Sequence, residues 1–264
     1  MLKNLLLSAF VLLVALFAIT LYPKVIKKTW PDEGFATRVY HSSDKGALQY
    51  RIHLPKNLQQ GQRYPLVVFL HGSGERGSDN KQQLLLGVRD ILSYCRSKEL
   101  PAFIIAPQVP VGEKWVNVDG AADFQNMPQR PSASMQMLIG LLDELILALP
   151  VDKNRIYVTG LSMGGFGTWD LIERFPHRFA AAIPVCGGGD ELMAPLIKAM
   201  PIWAFHGEKD PIVKTARSRN MIKAIRMAGG HPLYSEYPGV EHNAWDRAYK
   251  DQAVLSWLFE QHKN

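Results

Sequence analysis

The sequence predicts an α/β architecture, an eight-stranded, mostly parallel sheet with helices on both faces. Eight short apolar or alternating runs recur along the chain, and stretches of helical periodicity separate most of them, as expected of strands joined by crossover helices. With 264 residues, 47% apolar and 20% charged, the chain is large enough to bury one sizeable core.

The strand candidates are residues 37–41, 48–54, 66–70, 103–106, 156–159, 181–185, 202–205 and 233–237. Helices are expected over 81–97, 134–149, 163–174, 215–228 and 251–261. In the second of these Leu138, Leu141, Leu142, Leu145 and Leu149 return to one face while Asp143 and Glu144 point away. Gly229 closes the fourth.

Residues 5–22 form an 18-residue run without a charge, flanked by Lys3 on one side and Pro23 and Lys24 on the other. As a helix this run would be about 27 Å long, close to the thickness of a bilayer core. There is no clean A-x-A-like cleavage site. Residues 1–28 are therefore expected to be a hydrophobic anchor or signal segment with a basic flank, and residues 29–264 a single catalytic domain. The same layout predicts a membrane-anchored or exported protein whose catalytic domain is extracytoplasmic, in a periplasm-like compartment. The formal charge is +6, but Lys3, Lys24, Lys27 and Lys28 supply four of it, so the remainder is too nearly neutral to suggest a nucleic-acid surface. Cys95 and Cys186 lack CxxC spacing and read as small buried residues.

Chemistry enters with "IYVTGLSMGGFGTWDL", in which Gly160-Leu161-Ser162-Met163-Gly164 fits G-x-S-x-G between a strand and a helix. So sharp a turn brings neighbouring chains close and requires tiny flanking residues. It would place the Ser162 hydroxyl at the carboxyl edge of the sheet, beside the free N–H groups of a helix start. A serine needs a base, and the base needs a carboxylate to fix its tautomer. Behind an elbow of this kind the chain order is Ser, acid, His. "PIWAFHGEKDPIV" presents Asp210 after a strand, and "YPGVEHNAW" presents His242 after the last one. Of the eight histidines only His242 occupies that final loop; His71 and His206 each open an "HG" turn and read as turn-stabilising. Asp190, in "CGGGDEL", is the rival acid, or else lines the pocket.

The loop "VVFLHGSGERGSDN" contains G-x-G-x-x-G at Gly72, Gly74 and Gly77, the layout of a dinucleotide-binding turn. The acidic residue that would hold a ribose at the end of the next strand is missing, since "AFIIAPQVP" ends that run in Ala106-Pro107-Gln108. The loop is assigned instead to an oxyanion hole made of the Ser73 and Met163 backbone N–H groups, with Gly74 letting substrate approach the backbone.

Together "LHGSGERG", "VTGLSMGGFGTWDL", "PVCGGGD", "HGEKDPIV" and "GVEHNAW" resemble the α/β-hydrolase superfamily. More narrowly they are similar to the esterase group of polyhydroxybutyrate depolymerases, feruloyl esterases and predicted peptidases related to prolyl oligopeptidase. The resemblance spans roughly residues 48–258. It implies the α/β-hydrolase fold, a nucleophile, acid and base at Ser162, Asp210 and His242, and oxyanion donors at Ser73 and Met163. The chain has no room for the extra domain that selects small peptides in prolyl oligopeptidases. Only 14 residues separate Cys186 from Pro201, so no large cap is expected and the cleft should be open. Trp115 and Gln125, in the long segment 111–131, are further candidates for the pocket.

The expected activity is hydrolysis of a small-molecule or polymer-linked carboxylic ester through an acyl-enzyme, with no metal or organic cofactor and with membrane contact confined to the N-terminal segment. A peptidase, an acyltransferase using the same triad, and a non-catalytic tethered binding module are the alternatives.

Overall fold

Eight strands form one sheet in the order β1-β2-β4-β3-β5-β6-β7-β8, seen in a computed structural model that describes residues 34–263. They are β1 (Ala36–Ser42), β2 (Gly46–His53), β3 (Tyr64–Leu70), β4 (Phe103–Gln108), β5 (Val151–Leu161), β6 (Ala181–Val185), β7 (Trp203–Gly207) and β8 (Leu233–Tyr237). β2 runs antiparallel to β4, and every pairing from β4 through β3, β5, β6 and β7 to β8 is parallel. The helices are α1 (Val88–Ser97), α2 (Ala133–Ala148), α3 (Met163–Arg174), α4 (Ala194–Ile197), α5 (Ala216–Met227), α6 (Trp245–Ala248) and α7 (Gln252–Glu260). This is the α/β-hydrolase fold.

Central strands covered on both faces should be apolar throughout, and β3, β4 and β6 are buried at every position. β5 shows why two helical layers are needed. Successive side chains alternate between faces. Tyr157 points to one side, where its hydroxyl donates to the Gln261 carbonyl at 2.8 Å beyond α7, and Thr159 on the same side meets the Tyr249 hydroxyl at 2.8 Å. Gly160, on the other side, lies under the first turn of α3, against the Gly164 carbonyl.

All eight expected strands are present. β5 begins five residues earlier than its apolar run, because Val151 pairs with Tyr64 across an irregularity in the ladder and the polar stretch Asp152–Arg155 hides that extension. The helix expected over 81–97 is broken: Gln82–Leu84 forms a 3-10 turn, and α1 starts only after Gly87, whose φ of +71° suits glycine and where a Cβ would strike the Tyr249 ring. α2 starts at Ala133 because Ser132 caps it, its hydroxyl accepting from the Met135 N–H at 3.1 Å.

The expected anchor or signal at residues 1–28 lies outside the described residues. Among those described, no helix is long and apolar enough to cross a membrane.

Candidate functional site

The parallel strands β3, β5, β6 and β7 all end at one edge of the sheet, and the loops leaving them supply the site. β5 turns into α3 through Ser162, whose φ of +53° and ψ of −117° lie in a region that L-residues rarely adopt. Close packing enforces this turn. A Cβ at Gly164 would collide with the Leu70 carbonyl of β3, and one at Gly165 with the Val185 carbonyl of β6. Ser162 is pinned from both ends: its N–H donates to the Val185 carbonyl at 2.9 Å, and its own carbonyl accepts the Phe166 N–H at 3.1 Å, opening α3.

Three of the expected residues meet here. His242 Nε2 lies 2.8 Å from Ser162 Oγ, and His242 Nδ1 lies 2.7 Å from Asp210 Oδ2. Facing a carboxylate, Nδ1 carries the proton, which leaves Nε2 to accept from the hydroxyl. The Trp245 ring meets the imidazole edge-on at 5.1 Å and fixes its plane. The Asp210 side chain is fully covered while that of His242 is 19% exposed, so the carboxylate is dry and the imidazole keeps contact with solvent.

The Asp210 carboxylate accepts four hydrogen bonds. The Ile212 and Val213 N–H groups donate to Oδ1 at 2.9 Å each, and His242 and His206 share Oδ2, His206 Nε2 at 3.1 Å. Burial alone would raise its pKa, but these donors more than offset that, and the carboxyl is held well below the usual range. His206 is fully buried, Nε2 facing the Val213 carbonyl at 3.0 Å and Nδ1 the Ser218 hydroxyl at 2.7 Å. It supports the turn, as its "HG" context suggests, and also touches the acid, which the sequence reading missed. His71 closes the other turn. Its Nδ1 donates to the Gly72 carbonyl at 2.6 Å, its Nε2 accepts the Val109 N–H at 2.9 Å, and burial pushes its pKa down to about 4.

Cys186 Sγ, His206 and Asp210 bring ligand atoms within 4.8 Å of one another. They suit a cation poorly, since both carboxylate oxygens are occupied and burial pushes the Cys186 thiol up to about 12. Both cysteines are buried and free.

Ser162 opens onto a cleft of about 310 Å³ that Ser73 and Met163 also line. Phe166, Val116, Ile212 and Val213 make its apolar wall, and the Arg217 guanidinium braces Phe166 from 5.8 Å above its ring. A hollow of about 460 Å³ on α5 and β8, bordered by Arg219, Arg226 and Tyr234, holds none of the converging residues, so size does not mark the site.

Residues 58–254 match the family described as phospholipase/carboxylesterase. The chain belongs to this family. A solved thermostable esterase is 38% identical, with a TM-score of 0.81 over 88% of this chain and 64% of that one. A probable carboxylesterase of Oryza sativa subsp. japonica is 22% identical over 74% of this chain and 87% of its own length. The phospholipase/carboxylesterase chain spans 22% of the length of an uncharacterised secreted protein of Arthroderma benhamiae, at 26% identity over 70% of itself. It spans 23% of a bifunctional acetylxylan esterase/xylanase of Neocallimastix patriciarum, at 22% identity over 66% of itself.

The four pocket candidates behave differently from the sequence expectation, and none is among the residues lining this family member's cleft. Gly74 is exposed on the turn after Ser73. Trp115 is fully buried, its indole donating to the His71 carbonyl at 3.1 Å, and so belongs to the core. Asp190 is buried and structural: Oδ2 accepts the Met127 N–H at 2.7 Å and Oδ1 that of Leu192 at 3.0 Å, tying the segment 111–131 to the loop after β6. Gln125 is buried in that segment, its Oε1 without a hydrogen-bond partner.

Beneath Asp190, Glu173 is almost fully buried; its Oε1 accepts the Asp190 N–H at 3.0 Å and Oε2 has no partner. Burial, with Asp170 nearby, raises its carboxyl well above the usual range. An acid whose pKa rises on folding stabilises fully only below its unfolded value, and that contribution is lost as pH rises through the folded value. Glu173→Gln keeps the acceptor for Asp190 and removes the titration. Its melting temperature should exceed that of the unaltered chain, by a margin that widens between pH 5 and pH 8 in calorimetry.

Proposed function

We propose that this chain is a serine esterase working through an acyl-enzyme. The observation that carries the reading is the unbroken line Asp210, His242, Ser162, joined at 2.7 and 2.8 Å. Ser162 attacks the ester carbonyl as His242 takes its proton, and Asp210 stabilises the imidazolium. His242 then returns the proton to the departing alcohol, and water repeats the sequence to free the acid. The Ser73 and Met163 amides hold the oxyanion. In support, both residues line the cleft with Ser162, and Met163 opens a helix, where the first N–H groups lack intrahelical partners. The test is a fluorophosphonate probe. Mass spectrometry should place one adduct on Ser162 of folded protein and none after heat denaturation; absence of an adduct in folded, monodisperse protein rules the reading out.

We further propose bulky or polymer-linked esters as substrates. Between β6 and β7 there is only a 3-10 turn at Glu191–Met193 and the single-turn helix α4, so no cap crosses the mouth, and Phe124 and Ile212 are exposed near it on loops linked by Asp123 and Lys214 at 2.6 Å. Similar proteins include, by name, the acetylxylan esterase/xylanase above and a poly(3-hydroxyalkanoate) depolymerase of Paucimonas lemoignei. Residues 1–28 are proposed to carry the chain to or through a membrane. Comparing the full chain with one lacking them, by fractionating producing cells, should show that only the full chain reaches the membrane or exported fraction.

A further inference from the structure

The apolar wall of the cleft faces a different one. Arg76 and Lys114 both line it, and no carboxylate does. The two cations are neighbours by construction, since Arg76 Nη1 donates to the carbonyl of Glu113, the residue before Lys114, at 3.4 Å. Arg76 Nε also donates to the Ser73 carbonyl at 2.8 Å, which fixes the guanidinium beside the proposed oxyanion turn. Lys114 Nζ donates to the Val118 carbonyl at 3.0 Å.

Nearby acids are engaged elsewhere. Glu113 Oε2 accepts from the Ser134 hydroxyl at 3.3 Å, and Asp123 pairs with Lys214. Asp119 Oδ1 accepts the Ala121 N–H at 3.0 Å, and the Asp210 carboxylate is saturated. Glu75 does not line the cleft, and burial raises its carboxyl above the usual range. Arg76 and Lys114 are therefore held in place by neutral carbonyls, and among the described residues neither forms an ion pair with a carboxylate. Each retains N–H donors beyond those bonds, as five on a guanidinium and three on an ammonium allow.

We propose that the cleft selects esters that carry an anionic group, a carboxylate or phosphate, on one arm close to the scissile bond, with an apolar remainder. This rests on the esterase reading above. The anion would meet Arg76 and Lys114 while the apolar part lies on Phe166, Val116 and Ile212. Two fixed charges at a partly solvated wall correspond to a preference of about five- to tenfold, weakened by salt.

The test uses two matched pairs of esters, each rate divided by that for hydroxide hydrolysis. The acyl-arm pair is p-nitrophenyl hemisuccinate against its methyl ester; the alcohol-arm pair is the butyrate of 4-hydroxybenzoate against that of methyl 4-hydroxybenzoate. At low ionic strength kcat/KM for the charged member should exceed that of its neutral partner at least fivefold in one pair, which identifies the arm. That ratio should fall towards one in 0.5 M salt and in the double variant R76Q/K114Q. Because each protein is its own reference, partial misfolding does not alter the ratio. A neutral preference in both pairs, or an unchanged ratio in the double variant, overturns the proposal. Failure to hydrolyse any of the four esters, together with no fluorophosphonate adduct, overturns the esterase reading instead.

Discussion

Ser162→Ala should lower kcat on any ester substrate by about 10⁶-fold, and Ser162→Gly should do the same while producing a protein at least as stable as the alanine variant. Loss of activity follows from removing the hydroxyl that lies 2.8 Å from His242 Nε2. The stability ordering follows from backbone. At φ +53° and ψ −117° any Cβ is strained, at a cost of about 1 to 3 kcal/mol. Alanine keeps that strain and glycine releases it. At an ordinary position glycine loses about 0.5 to 1 kcal/mol to alanine through chain entropy. Here the order should be level or reversed in thermal melts. A glycine variant clearly less stable than the alanine variant would mean that the turn is not strained, and that packing at Gly164 and Gly165 alone shapes it.

Asp210→Asn should reduce kcat by about 10⁴-fold, whereas Asp190→Asn should stay within about tenfold of the unaltered chain. An amide has a single oxygen, while the carboxylate accepts from His242 and His206 on one side and from the Ile212 and Val213 N–H groups on the other. With the oxygen towards the backbone, the amide N–H groups face His242, which takes the tautomer unable to accept the serine proton. With the oxygen towards the histidines, two buried N–H groups lose their acceptor, at a cost of about 1 to 3 kcal/mol. Either way the melting temperature should drop, by about 5 °C for a domain of this size. Steady-state kinetics and calorimetry on both variants distinguish the acid from the structural carboxylate; a larger kcat loss for Asp190→Asn would reassign the role.

What was legible from sequence was whatever depends on backbone crowding and strand order. Gly160, Gly164 and Gly165 announce the elbow because neighbouring carbonyls leave no room for a side chain. Asp210 and His242 are readable because each leaves the end of its own strand. The cleft walls were not legible. Lys114, Val116 and Val118 line it while Trp115 between them turns inward, in a segment of turns and bends that belongs to no strand or helix. Without caps or a regular period, nothing in the sequence of such a segment says which of its side chains face the cleft. Helix α6 was missed because four residues hold too little pattern, although it carries the Trp245 ring that braces His242. His206 was read only as a turn residue because nothing in "HGEKD" shows that its ring reaches the carboxylate four positions on.

The missing cap also bears on the fate of the acyl-enzyme. Where a lid closes over a bound acyl group, bulk solvent is shut out and a chosen alcohol can compete for the carbonyl. In this protein only short turns stand between the end of β6 and the start of β7. On the proposed mechanism, water would thus meet no cap on its way to the Ser162 ester once the first alcohol departs. Partitioning should then favour release of free acid over transfer to another acceptor, and turnover should not wait on a hinged segment reopening.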